Sequence, residues 1–137
     1  MKTPNSVDPL EVSLEFPAEG VTSTVAVTRV AEGLLRLESV VPMIDCVVFG
    51  DTVRVTALTA TLYRFEHVAV SGGWRQHSYL VPGVEAARDL IAEIERRGAH
   101  WEIVFGGLFT VCVPPSLSDW DAEATAAELL PAGNPLR

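Results

Sequence analysis

The sequence predicts an α+β fold, in which an N-terminal antiparallel β meander or small barrel precedes a β-α-β-β-α unit, a ferredoxin-like half. Three observations lead to this prediction. Apolar and polar residues alternate along several segments before residue 72, as they do in strands with one buried face. Over residues 84–97 the apolar spacing changes to three and four, which is typical of a helix. After this helix, Gly106-Gly107 separates two segments rich in β-forming residues.

The N-terminal strands are predicted from side chains that would share one face of a sheet. The segments with this alternation are residues 11–16, 22–31, 34–40, 51–58 and 60–71. The inward-facing candidates of the first two segments are Val12, Leu14, Phe16, Val25, Val27 and Val30. Pro17 and Gly20 end the first segment, and a hairpin across Glu32-Gly33 is expected to join the second to the third.

The C-terminal half is predicted to begin with a strand over residues 75–81, followed by a helix over residues 84–97. The apolar face of that helix consists of Val84, Ala87, Leu90, Ile91 and Ile94. Glu85 near its start and Arg96-Arg97 near its end carry the charges that a helix dipole favours. Gly98 supplies the left-handed residue with which many helices end.

Two more strands and a second helix complete the predicted unit. Strands over residues 100–105 and 108–113 flank Gly106-Gly107, which is expected to be a two-residue hairpin turn. Pro114-Pro115 ends the second of them, since proline cannot donate to a β ladder. Ser118 is then predicted to cap an acidic helix that runs to about Leu130.

Length and charge limit the classes of protein. We expect a single domain, residues 1–137, in which a mainly β lobe (1–72) and a β-α-β-β-α lobe (73–137) share one core. The formal charge of −8, from 18 acidic against 10 basic residues, argues against a nucleic-acid groove. No apolar run is long enough to span a bilayer and no secretory signal is recognised, so we expect a cytoplasmic protein without a membrane partner.

Four short motifs resemble a family of small bacterial proteins known as a domain of unknown function, DUF4265. They are Pro42-Met43-Ile44-Asp45, Gly50-Asp51-Thr52-Val53, Phe65-Glu66-His67-Val68 and Ser71-Gly72. The chain departs from the family pattern where Met43 and Ile44 replace aromatic residues, and where Val47 replaces a glycine. Gly73-Trp74 also stands where His-Ser is usual. The resemblance implies a fold and a cytoplasmic bacterial origin, and it implies no mechanism.

A first candidate site combines Cys46 with the adjacent Asp45 and a histidine, His67 or His77. A thiol becomes a nucleophile when a base or cation lowers its pKa, and an acid can orient that base. Cys46, His77 and Asp45 are therefore the catalytic candidates. The alternative is that Cys46 is a small buried hydrophobic residue. Cys112 lies in an alternating apolar strand and is expected in the core.

A second candidate site is the side of one strand that carries Arg75, His77 and Tyr79, here called the Arg75 face. If the segment 60–70 pairs with this strand, the residues opposite would be either Tyr63, Phe65 and His67 or Arg64 and Glu66. The ligand-binding candidates are Arg75, His77, Tyr79, His67, Glu66 and Trp74. Such a face suits an anion or a polar small molecule, although a solvated sheet face with a cross-strand charge pair has the same composition.

No metal or cofactor is predicted, because the histidines lack ligand spacing and neither glycine pair precedes a helix. Two classes of function are left. The first is a binding module for a basic protein surface, for example an immunity-type inhibitor of a toxin, or for a small polar ligand. The second is a small enzyme of a specialised metabolic pathway that uses Cys46 or the Arg75/His77 pair. A homodimer is a further partner hypothesis.

Overall fold

The structure, a computed structural model, describes residues 9–130 and 134–135. The chain divides into two compact units, Met1–Gly72 and Gly73–Arg137, with the same boundary as the two lobes expected from the sequence. Each unit has a cluster of buried side chains of its own. The expectation of a single domain with one shared core stays a prediction.

The first unit is a closed β barrel, which confirms the barrel alternative. Its strands are β1 (Leu10–Phe16), β2 (Val21–Ala31), β3 (Leu34–Leu37), β4 (Thr52–Ala57) and β5 (Leu62–Val70). Consecutive strands pair antiparallel, including the predicted hairpin between β2 and β3. The barrel closes where β5 pairs with β1 in parallel, with Ser13 opposite Leu62 and Glu15 opposite Arg64. Closure leaves these strands without a free edge.

The interior of the barrel is filled by apolar residues from all five strands, and those of β1 and β2 include the ones that alternation predicts. The buried strand residues are Val12, Leu14, Phe16, Val25, Val27, Leu35, Leu37, Val53, Val55 and Tyr63. Val30 is the exception, because its side chain is 48% exposed. The pairing of β2 with β3 shifts register between Arg29 and Ala31, so the alternation of faces is interrupted at Val30. The prediction that Val30 faces inward is therefore wrong.

The second unit contains an antiparallel sheet and two helices. Its elements are β6 (Arg75–Leu80), a 3-10 turn (Val84–Ala87), α1 (Arg88–Arg97), β7 (His100–Val104), β8 (Leu108–Val113), a second 3-10 turn (Pro115–Leu117), α2 (Ala122–Leu129) and β9 (Asn134–Pro135). The strand order is β7-β8-β6-β9. The α+β class and the succession of elements agree with the sequence prediction, while the likeness to a ferredoxin-like half stays a prediction.

Helix α1 packs against the sheet with the predicted face. Leu90 and Ile94 are fully buried, and they belong to one cluster with Phe109 and Val111 of β8. Val84 is exposed because the first turn is a 3-10 turn, which rotates this side chain away from the stripe expected for an α-helix. Gly98 ends α1 in the left-handed conformation, as predicted.

The hairpin between β7 and β8 differs from the prediction. Its turn is centred on Phe105 and Gly106, both with positive φ, and the N–H of Gly107 donates to the carbonyl of Val104 at 3.1 Å. A glycine is needed at position 107 because of a close backbone contact, and not because of the turn. The Gly107 carbonyl accepts the N–H of Val81 at 2.8 Å, and a Cβ at Gly107 would lie 2.4 Å from the carbonyl oxygen of Val81.

The start of α2 also differs from the prediction. Asp121, and not Ser118, caps the helix, since the Asp121 carboxylate accepts the N–H of Ala124 at 3.0 Å. Ser118 lies directly after the second 3-10 turn, where the chain has not yet entered the helix. The capping prediction is therefore wrong by one turn.

Candidate functional site

The loop between β3 and β4 presents Cys46 at the surface of the barrel. Ile44 and Val47 are buried and belong to the barrel core, whereas Asp45 and Cys46 between them are exposed. The two buried side chains on either side fix the position of the exposed thiol on the barrel surface. The loop is therefore held by hydrophobic packing although it has no regular secondary structure.

Asp51 fixes the end of the same loop. Its carboxylate is buried and accepts the N–H of Val48 at 2.9 Å and the N–H of Gly72 at 3.0 Å. Gly72 has no room for a side chain, because a Cβ there would lie 2.4 Å from the carbonyl oxygen of Gly50. Two positions of the motifs that resemble DUF4265, Asp51 and Gly72, thus have a structural role in this barrel.

Beside Cys46 lies an open cleft of about 320 Å³, here called the acidic cleft. It is lined by Pro17, Ala18, Glu19, Cys46, Phe65 and Glu66. The ring of Phe65 is held from behind by Phe16 in the barrel core, with the ring centroids 5.1 Å apart. The cleft therefore combines a fixed aromatic wall with two carboxylates and a thiol.

The two carboxylates come from separate elements. Glu19 belongs to the turn between β1 and β2. In β5, Val55 pairs with Phe65 and Arg54 with His67, so Glu66 is the extra residue of a β bulge. The hydroxyl of Thr56 donates to the Glu66 carboxylate. Within the described residues, neither Glu19 nor Glu66 forms an ion pair, so both negative charges are available to a partner.

The Cys46 thiol is favoured in its neutral form. Although the residue is exposed overall, partial desolvation of the sulfur raises its pKa above the ordinary value of 9.0, and the carboxylates of Glu19 and Asp45 raise it further. A nucleophilic cysteine requires the opposite shift. Cys46 is thus placed better to line a binding cleft than to attack a substrate.

The Arg75 face of β6 points toward the start of α2. The guanidinium of Arg75 donates to the carbonyl oxygens of Leu117 and Trp120 at 3.3 and 3.1 Å. Tyr79 is buried, and burial raises its pKa, with smaller contributions from the carboxylates of Glu123 and Asp121. The chain itself therefore occupies much of the face that was predicted to bind a ligand.

His77 lies between these two residues on the same face. Its Nδ1 is 3.7 Å from the carboxylate of Glu123, which is an ion pair only when the imidazole is protonated. Its Nε2 is buried and makes no hydrogen bond to the part of the chain that the structure describes. The carboxylate nearest to His77 thus comes from Glu123 of α2.

The ligand-binding candidates do not belong to one sheet. Glu66 and His67 are exposed on β5, which pairs with β4 and β1. Trp74 is half-buried just before β6, and β6 pairs with β8 and β9. The pairing of segment 60–70 with strand 75–81, considered from the sequence, is therefore wrong. Glu66 joins Cys46 at the acidic cleft instead.

Other candidate chemistry is limited within the described residues. Cys112 is buried as predicted, and burial raises the pKa of its thiol strongly, with a further contribution from Glu102. Both cysteines are free thiols. Residues 9–130 and 134–135 contain no group of three or more side chains suited to a metal ion. The same residues include no helix of the length and apolarity that a membrane span requires.

Comparisons with known proteins give information on the fold of this chain. No protein-family model matches the chain, and no curated protein matches it. A solved structure, described as a novel crystal structure of a hypothetical protein from Neisseria gonorrhoeae, is similar with a TM-score of 0.65 and 14% sequence identity. The similarity covers 87% of this chain and 86% of that one. At this identity the likeness shows the fold alone.

Sequence reasoning did not find Glu19 as a site residue. An acidic residue in a turn next to Pro17 and Gly20 has the appearance of ordinary solvated surface. Glu19 comes to line the acidic cleft with Phe65 and Glu66 in a barrel where β5 pairs with β1. This pairing joins distant parts of the chain, and no local signal in the sequence announces it.

Proposed function

We propose that this protein is a binding module whose acidic cleft receives a positively charged group. That group is presented by a basic protein surface or by a small polar molecule. The observation that carries the proposal is the pair of carboxylates, Glu19 and Glu66, which lack an ion pair within the described residues and line a cleft with an aromatic wall. A cation can interact with both the carboxylates and the ring of Phe65.

The charge of the whole chain supports the same proposal. With a formal charge of −8, the protein attracts basic partners over long range and repels acidic ones. An immunity-type inhibitor that covers the basic active site of a toxin is one protein that would have these properties. We propose that the chain is a DUF4265-like bacterial protein that acts in the cytoplasm.

The enzyme alternative has less support. Cys46 is exposed, but its raised pKa keeps the thiol protonated near neutral pH. Burial and the carboxylates of Glu19 and Asp45 disfavour the thiolate, and together they outweigh a backbone hydrogen bond at Cys46 that lowers the pKa. Arg75 and His77 are partly engaged by the chain itself, because the guanidinium donates to the carbonyl oxygens of Leu117 and Trp120 and the imidazole lies 3.7 Å from the carboxylate of Glu123.

The proposal is tested by NMR titration of the ¹⁵N-labelled protein with n-butylammonium and n-propylguanidinium. We expect changes in amide chemical shift to concentrate at residues 18, 19, 46, 65 and 66, which line the acidic cleft. The double variant Glu19→Gln/Glu66→Gln should lose the binding, while a charge-matched control, Glu11→Gln/Glu32→Gln, should retain it. Glu11 and Glu32 are exposed and lie outside the cleft. Equal binding by both double variants would refute the proposal.

A further inference from the structure

A strained and exposed methionine lies in the same loop as Cys46. The N–H of Ile44 donates to the carbonyl of Val41 at 3.4 Å, which places Pro42 and Met43 at the centre of a turn. Met43 has a φ of +66° and its side chain is 72% exposed. For a residue other than glycine, this backbone conformation costs about 1–2 kcal/mol. Neither packing nor backbone preference therefore explains a methionine at this position.

We infer that the acidic cleft receives an arginine side chain of a protein partner, and that Met43 packs against the partner's surface next to that arginine. The inference rests on the proposed function, since it assigns a chemical class to the occupant of the same cleft. It commits to one occupant, a protein that presents an arginine beside apolar residues.

The lining of the cleft favours a guanidinium over an ammonium group. Pro17, Ala18 and Phe65 give it apolar walls, while Glu19 and Glu66 provide acceptors from two separate elements. A guanidinium is planar, weakly hydrated and stacks on aromatic rings, and its five donors can satisfy two carboxylates at once. An ammonium is compact and strongly hydrated, so it would lose more hydration on entering a cleft of this composition.

The loop favours a protein over a free small molecule. Met43 is three positions before Cys46, and the buried Ile44 and Val47 hold the intervening chain on the barrel. An occupant confined to the cleft would not account for an exposed apolar side chain on this loop. Methionine adapts to apolar surfaces of varied shape, which suits contact with a protein. Strained backbone is also found preferentially at functional surfaces.

The experiment measures the affinities of peptides by isothermal titration calorimetry with the intact chain. The peptides are acetyl-Leu-Xaa-Leu-amide, in which Xaa is arginine, lysine or the neutral arginine analogue citrulline. We expect the arginine peptide to bind about tenfold more tightly than the lysine peptide, which corresponds to one additional charge-assisted hydrogen bond. The citrulline peptide should not bind measurably, because it lacks the charge.

The contribution of Met43 is measured with Met43→Asn, since asparagine tolerates the left-handed conformation but offers no apolar surface. This variant should weaken binding of the arginine peptide and leave the affinity for n-propylguanidinium unchanged. A thermal melt equal to that of the parent would show that the barrel is intact. An unchanged peptide affinity would overturn the assignment of Met43 to the partner contact.

The remaining outcomes separate the inference from the proposed function. Equal affinities for the arginine and lysine peptides would overturn the guanidinium assignment while the binding of cations stands. Binding of the citrulline peptide as tight as that of the arginine peptide would overturn both. If no peptide binds while n-butylammonium does, the protein partner is excluded and the cleft serves a small molecule.

Discussion

The acidic cleft and the Arg75 face both contain charged and aromatic residues, but they differ in how far the chain itself engages the charged groups. On the Arg75 face, the guanidinium bonds to two carbonyl oxygens and His77 lies next to Glu123. At the acidic cleft, Glu19 and Glu66 have no ionic partner within the described residues. Composition alone therefore does not locate a binding site, and unsatisfied charge beside a cavity is the more useful criterion.

The largest effect is expected in the packing beneath the Arg75 face. Leu90→Ala removes a fully buried side chain from the cluster that α1 forms with Phe109 and Val111. We expect the free energy of unfolding to fall by about 2–5 kcal/mol, because the variant loses both hydrophobic transfer energy and packing. Chemical denaturation measures this change. A melt unchanged from the parent would contradict the assigned face of α1.

The loop around Cys46 is expected to depend on the buried carboxylate of Asp51. Asp51→Ala leaves the N–H groups of Val48 and Gly72 without their acceptor, which should cost about 2–4 kcal/mol for two lost hydrogen bonds. Glu11→Ala, which removes an exposed carboxylate of the same unit, should cost far less. Comparable losses in the two variants would show that Asp51 does not hold the loop.

The two cysteines distinguish the regions by their response to pH. Folding raises the pKa of Cys112 well above its ordinary value of 9.0, so above that pH the unfolded chain releases a proton that the native chain retains. The contribution of this thiol to the free energy of unfolding is thus fully present below pH 9. It is lost at higher pH by about 1.4 kcal/mol per pH unit. Urea denaturation at pH 9 and at pH 10 measures the free energy of unfolding at each pH. The fall in this free energy between the two pH values should be smaller for Cys112→Ala than for Cys46→Ser. An equal fall in both variants would contradict the burial of Cys112.

A smaller loss of stability is expected when the guanidinium of Arg75 is replaced by the ammonium group of lysine. Arg75→Lys cannot reproduce the geometry with which the guanidinium reaches Leu117 and Trp120, and we expect a loss of about 1 kcal/mol in stability. Binding of cations at the acidic cleft should not change. If the variant instead loses binding with its stability intact, the Arg75 face is the functional surface and the comparison above is reversed.

The smallest effect concerns the reactivity of Cys46. Alkylation by iodoacetamide at pH 7.5 should be slower than that of a free cysteine, because the thiolate fraction is lower. Glu19→Gln should increase the rate modestly by removing one of the charges that oppose the thiolate. Labelling faster than that of free cysteine would revive the nucleophile hypothesis and, with it, the enzyme alternative.

Local patterns of sequence determined much of the fold. Alternation gave the interior side of β1 through Val12, Leu14 and Phe16, and the left-handed Gly98 ended α1 as expected. The errors arose where two local signals compete. In the β7–β8 hairpin, the adjacent glycines suggested the turn, but Gly107 is required for the close approach of Val81, which moves the turn to Phe105 and Gly106.

The candidate site was predictable only in part. Cys46 and Glu66 stood out as reactive and charged residues, but their common cleft also requires Glu19 and Phe65. The partners of Arg75 could not be predicted either, because they are main-chain carbonyls more than 40 positions later in the chain. Contacts of this kind depend on tertiary packing, and residue type alone does not encode them.

Closure of the barrel also has a consequence for the order of events in folding. Glu15 on β1 and Arg64 on β5 are 49 positions apart, and their pairing must bring these distant segments together at a substantial cost in chain entropy. The acidic cleft is lined by residues that adjoin these two strands. The acidic cleft thus forms only when β5 joins β1, so a newly synthesised chain lacks this cleft until β5 has been made and has paired with β1.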